Sequence, residues 1–143
     1  MNKDTVNLLK ECNAGIKMGD NAIKKVLPRV KSKELKHVLE ACRNTHANLG
    51  DRTHELLKKG GADTKPPHAI ASVMSDVKIN MKMMIDPTDS AIADVMTDGC
   101  NMGVKSLSRY LNQYKDADTR SKEIAKELIA SEEYLSTSMR KHL

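Results

Sequence analysis

Between residues 6 and 30, apolar side chains return every three or four positions: Val6, Leu9, Ile16, Ile23, Leu27 and Val30. That period marks one buried face of an α-helix. Asn13 and Asp20 place polar groups on the same stripe, where core residues are expected. Pro28 and Ser32 mark a corner. Behind it a second stripe reads Leu35, Leu39, Cys42, His46, Leu49 and Leu56. Gly60-Gly61 supplies the stop, since glycine takes the left-handed conformation that ends many helices.

Pro66-Pro67 opens a third pattern, Ile70, Val73, Val77, Met81 and Met84. "DPTD" halts it and starts the next helix, with Asp86 placed to cap and Pro87 at the first helical position. The stripe that follows reads Ala93, Thr97, Cys100, Val104, Leu107 and Leu111. "KDADT" turns the chain into a last helix that carries Ile124, Leu128, Ser131, Leu135 and Ser138 inward. The predicted helices cover about 4–30, 33–59, 67–85, 87–114 and 119–142. Four are long, roughly 24–28 residues or about 36–42 Å. Tight corners at 28–33 and 115–119 make two antiparallel hairpins, and the long connection between them returns the chain to its starting end. The expectation is an all-α, up-down four-helix bundle whose crossover contains a short fifth helix, with residues 1–143 as a single domain.

Composition agrees. With no Trp, no Phe and three Tyr among 143 residues, the core must be built from Leu, Ile, Val, Ala and nine Met. Such a set suits packed helices better than sheets, which favour aromatic and β-branched residues. No apolar run reaches bilayer length and no signal-peptide pattern opens the chain, so a cytoplasmic protein without membrane contact is expected. The net charge is +5, and Lys24, Lys25, Arg29, Lys31, Lys33 and Lys36 crowd the first corner. Nucleic-acid surfaces usually add stacking aromatics, which this corner lacks, so a solvated surface is expected there and nucleic acid is not. Cys12, Cys42 and Cys100 are odd in number and form no CxxC pair. That argues against a disulfide framework or a zinc ribbon and leaves buried free thiols.

Two long hairpins joined by a crossover with its own helix resemble the ferritin-like superfamily, and more narrowly a bacterial family of ferritin-like bundles known mainly as a domain of unknown function. The matching stretches are "LLKECNAGIKMGDNAIKKV", "RNTH", "ASVMSDVKINMKMM" and "DGCNMGVKSLSRYLNQY", so the resemblance covers essentially the whole chain. Metal-binding members of the superfamily hold two irons with one Glu from each of two helices and Glu-x-x-His from each of two others. Residues three apart share a helical face, and bridging carboxylates hold the irons together. On that pattern His46 matches the first histidine, but Arg43 replaces its glutamate. Cys100 stands about where a carboxylate belongs, Glu133 matches the second glutamate with Ser136 at the histidine position, and the first helix offers Asn13 or Asp20. A guanidinium in place of a bridging carboxylate adds positive charge to a dicationic site. The resemblance therefore implies a degenerate di-iron site and a non-enzymatic structural or partner-binding protein, in a stress or developmental programme, with no catalytic or cofactor-binding residues.

Counted from the end at residues 31–32, Asp20, Cys42, Cys100 and Ser131 fall at nearly one level, with His46 a turn away. Three readings fit this polar layer. In the first, Asp20, His46 and Ser131 hydrogen-bond one another and the thiols fill gaps, which fixes helix register. In the second, Asp20, Cys42, His46 and Cys100, with Glu133 peripheral, hold zinc or one iron; Cys42 and His46 share a face at i, i+4. In the third, Cys42 or Cys100 is a reactive thiolate beside His46 or Arg43, a role that needs the access a closed bundle denies. The first is the expected one, with no metal or cofactor. His37, His54, His68 and His142 are expected at the surface or at corners.

Met74, Met81, Met83 and Met84 crowd the crossover, where Met83 and Ile79 fall off the main stripe. Methionine packs adaptably at interfaces. Ferritin-like bundles often pair through helix faces, so the resemblance also implies a homodimer.

Overall fold

A computed structural model of the chain describes residues 1–63 and 88–143. Within them lie four long helices: α1 (Lys3–Val26), α2 (Lys33–Lys59), α3 (Asp89–Gln113) and α4 (Thr119–Met139), and no strand. The predicted helix at 67–85 lies outside the described residues, and so do the cap at Asp86, Pro87, His68, and the cluster of Ile79 with Met74, Met81, Met83 and Met84.

Each helix end has a chemical cause. Pro28 lacks an N–H, so α1 ends at Val26 and the chain tightens into a 3-10 turn, Leu27–Arg29, short of the predicted boundary. Ser32 caps α2 by accepting from the Leu35 N–H. Thr88 caps α3 by accepting from the Ala91 N–H, and Asp118 caps α4 by accepting from the Ser121 N–H. Such side-chain oxygens satisfy the amides that a helix start leaves open. Gly61, with φ 68°, turns the chain off α2 while the Ala62 N–H donates to the Leu57 carbonyl. A second 3-10 turn, Arg140–His142, closes α4.

Two clamps set the topology. The Asp89 carboxylate accepts from the backbone N–H of Lys31 and of Ser32, each at 2.9 Å, which brings the starts of α2 and α3 to the same end. At the opposite end, Asn2 donates to the Asp116 carbonyl at 2.7 Å and Thr5 Oγ1 accepts from the Asp118 N–H at 2.8 Å. Hence α2 and α3 run parallel and each hairpin is antiparallel. α1 packs on α2 and α3 on α4; α2 also meets α4, α1 meets α3, and α1 touches α4 across the diagonal. This is the expected all-α four-helix bundle.

The core has two apolar halves. One gathers Ile23, Val26, Leu35, Leu39, Ile92 and Met139. The other gathers Leu8, Leu9, Leu49, Leu57, Ile124 and Leu128. Each fully buried side chain of this size contributes about 1.5–3 kcal/mol relative to its exposed state. Buried His46 and Glu132 lie where the halves meet. The buried face of α4 runs Ser121, Ile124, Ala125, Leu128, Glu132, Leu135 and Met139. Ser131 and Ser138, expected at its centre, flank it, because the strip follows the large aliphatic and methionine side chains.

Candidate functional site

His46 stands at mid-bundle and is 1% exposed. Its ring fits because Gly19 on α1 has no side chain: a Cβ there would come 2.6 Å from Cε1. Nε2 lies 3.1 Å from Glu132 Oε1 on α4 and 3.8 Å from Cys42 Sγ, one turn back along α2. Cys42 Sγ lies 3.9 Å from Ser131 Oγ. Cys100, buried on α3, interacts with the Glu132 carboxylate. Four helices thus contribute to one layer.

The electrostatics follow from these contacts. Burial alone would drive the His46 pKa down, but the hydrogen bonds and charges of Cys42 and Glu132 outweigh it and push it up to about 10. Nε2–H donates to Glu132, while Nδ1 is buried without a hydrogen-bond partner among the described residues. Burial, then the Glu132 charge, raises the Cys100 thiol far above its ordinary range, so it stays protonated. An unreactive thiol is the consequence. Burial and the neighbouring Glu11 likewise push Cys12 up to about 12.

Of the residues singled out in the sequence, Cys42, His46 and Cys100 come together. Asp20 does not join them. It lies half-buried on the outer side of α1, accepting from Arg43 Nε at 2.9 Å, with Lys24 Nζ 3.4 Å away. Its slight burial opposes ionisation, but hydrogen bonds and charges from Arg43 and then Lys24 hold its carboxyl below the usual range. Glu133 is exposed, and the inward carboxylate belongs to Glu132, one residue earlier. Glu132 sits between Leu128 and Leu135 on the buried face, a signal present in the sequence. It was outweighed because a glutamate is seldom buried unless paired, and its partner lies on another helix. Asn13 is buried as its stripe implies, and its Oδ1 accepts from His54 Nε2 at 2.8 Å. Among the described residues, no three His, Cys, Asp or Glu side chains are arranged to hold a metal ion.

Helix order, the parallel α2 and α3, and a polar layer inside an aliphatic core define the class: an all-α four-helix bundle with one long connection. Solved structures share it. YcfI from Rhodopseudomonas palustris, provisionally described as a structural protein, superposes with a TM-score of 0.68 at 14% identity, over 94% of this chain and 89% of its own. The Escherichia coli stress protein YciF gives a TM-score of 0.68 at 12% identity, over 99% of this chain and 94% of its own. At such identities the likeness is one of fold. No protein-family model and no curated protein sequence matches.

Proposed function

We propose that this chain is a non-enzymatic bundle with a structural or partner-binding role, in which a ferritin-like di-iron site has decayed into an internal ion pair. The observation that carries this reading is the contact between His46 and Glu132, in which an imidazolium supplies the positive charge that a metal would bring. Arg43, at the position of a bridging glutamate, turns outward to Asp20. Among the described residues, the donors left in the layer are one carboxylate, one imidazole and two thiols. They do not fit a pair of irons, which needs bridging carboxylates. The descriptions of YcfI as provisionally structural and of YciF as a stress protein agree with such a role. A cytoplasmic location and a homodimer formed through a helix face belong to the same reading. Among the described residues, no helix is long and apolar enough to cross a membrane.

Elemental analysis of the untagged protein tests this, as isolated and after anaerobic incubation with iron or zinc followed by desalting. Near-zero metal in every sample is expected. Two irons per chain would overturn the reading. A second reading, one zinc or iron at Cys42, His46 and Cys100 with Glu132 where Glu133 was expected, draws on the 3.1–3.8 Å spacing of Nε2 from its neighbours. It requires about one tight metal per chain, lost in Cys42→Ser and Cys100→Ser. The structural reading expects those variants to lose some stability and to leave metal content unchanged.

A further inference from the structure

We propose that the end of the bundle at the α1–α2 corner is a docking surface for a flexible phosphate polyanion, linear inorganic polyphosphate. The inference is independent of how the His46 layer is read. The last turn of α1 and the corner carry Lys24, Lys25, Arg29 and Lys31, and the first turn of α2 carries Lys33 and Lys36. These six are neighbours in the chain. Arg140 and Lys141 come from the turn after α4 and are held beside them by the ion pair between Lys141 and Glu34. All eight are exposed.

Two facts make this surface available to an anion. The first is imbalance. Among the described side chains within a turn of this end only Glu34 and Asp89 are acidic, against eight of the chain's 24 Lys and Arg. The net charge of +5 is therefore gathered here, and the rest of the chain is close to neutral. The second is that both carboxylates are engaged. Asp89 accepts through its two oxygens from the backbone N–H of Lys31 and of Ser32, and Glu34 pairs with Lys141. Lys24 pairs with Asp20, one turn down α1. Lys25, Arg29, Lys31, Lys33, Lys36 and Arg140 are left without an ion pair among the described residues. Packed helices stand about 8–10 Å apart, the distance over which physiological salt screens charge, so the fields of these cations overlap. A bound polyanion relieves that repulsion and releases its own counterions.

Chemistry and shape choose among the anions. Four of the six unpaired cations are lysines, whose point charge takes phosphate oxygens from any direction, whereas paired recognition of a carboxylate favours arginine. The exposed Tyr134 lies more than a turn back along α4, so the bases of a single strand have no tyrosine to stack on among the cations. Among the described residues every helix stops at this end, in the turns Leu27–Arg29 and Arg140–His142 or at the caps Ser32 and Thr88, and none projects to enter the groove of a duplex. A straight, rigid duplex meets such an end along one edge. Polyphosphate has a charge on every phosphate, no base to stack and a backbone flexible enough to follow cations from both hairpins.

The test is a titration of the full chain at pH 7 with linear polyphosphate, duplex DNA and polyglutamate at equal concentrations of charge, followed by calorimetry and amide NMR. Polyphosphate should bind with a Kd of roughly 1–100 µM at about 0.15 M salt and weaken roughly tenfold or more between about 50 and 200 mM salt. It should shift resonances at the α1–α2 corner and in the turn after α4. DNA and polyglutamate should bind roughly tenfold more weakly. The triple variant Arg29→Ala, Lys33→Ala, Arg140→Ala should weaken polyphosphate binding roughly tenfold. The triple variant Lys3→Ala, Lys58→Ala, Lys115→Ala removes the same charge from exposed positions at the opposite end and should leave the affinity within about twofold. Circular dichroism and thermal unfolding establish that both variants are folded. Absence of polyphosphate binding, equally tight binding of DNA or polyglutamate, or an equal effect of the two triple variants would each overturn the proposal.

Discussion

His46 Nε2 and Glu132 Oε1 lie 3.1 Å apart, inside the bundle, on residues 86 positions apart in the chain. The pair joins the first hairpin to the second at the layer between the two apolar halves. Breaking a buried pair strands a charge, which is why its removal costs more than its formation contributes. Glu132→Leu should therefore destabilise the protein by about 3–5 kcal/mol. The double variant His46→Leu with Glu132→Leu should be more stable than Glu132→Leu alone. Urea unfolding of the parent, both single variants and the double variant checks the cycle.

The same pair sets a pH dependence. In the unfolded chain His46 loses its proton near its ordinary value of 6.5, and in the folded chain near 10. Between those values the folded state binds more protons, so stability falls as pH rises. The contribution is fully present below 6.5 and is lost on passing about 10. The slope approaches one proton, about 1.4 kcal/mol per pH unit. Cys42 and Glu132 face the ring, and removing Glu132 should flatten the slope. Denaturant midpoints measured from pH 6 to 10 give the comparison.

Gly19 and Gly15 should respond in opposite senses to alanine. At Gly19 the new methyl would overlap the His46 ring, with 2.6 Å to Cε1, and displace it from Glu132. A loss of about 1–3 kcal/mol is expected, as for other overpacked cores. At Gly15 the nearest contact is 3.9 Å, an ordinary one. There the helix should gain about 0.5–1 kcal/mol. Thermal unfolding of the two variants separates packing from propensity.

Glu11 should be a site where burial of a charge opposes stability. Burial raises its carboxyl pKa, against the Tyr110 hydrogen bond that lowers it. A raised acid binds more protons in the folded state, so it makes the protein less stable as pH climbs above the ordinary value of 4.5. Glu11→Gln should be more stable than the parent at pH 7, with the difference shrinking as the pH falls towards 4.5. Unfolding curves at the two pH values decide it.

Periodicity made the four described helices legible, because a stripe such as Leu35, Leu39, Cys42 and Leu49 has one helical face to bury. Corners were legible from Pro28, Ser32 and Gly60-Gly61. The site was legible in part. His46, Cys42 and Cys100 share the inner face with aliphatic residues, and their meeting follows from register. Glu132 and Glu11 were missed for one reason: the partner of each buried carboxylate, His46 for Glu132 and Tyr110 for Glu11, lies on another helix, out of reach of local pattern. Asp20 misled in the opposite way. It sits on the stripe by spacing, yet Arg43 and Lys24 hold it at the rim, where its charge is solvated and paired. The step from Glu132 to Glu133 is one residue, but on a helix that step turns a side chain about 100° away from the core.

The central claim is that a charged imidazole closes this layer. The most direct measurement is an NMR titration of the His46 ring in the metal-free protein, with the resonance assigned by His46→Gln. The account predicts that the ring stays protonated through neutral pH and releases its proton near pH 10. A midpoint at or below the ordinary 6.5 would contradict it, because a neutral His46 beside Glu132 could not stand in for a metal.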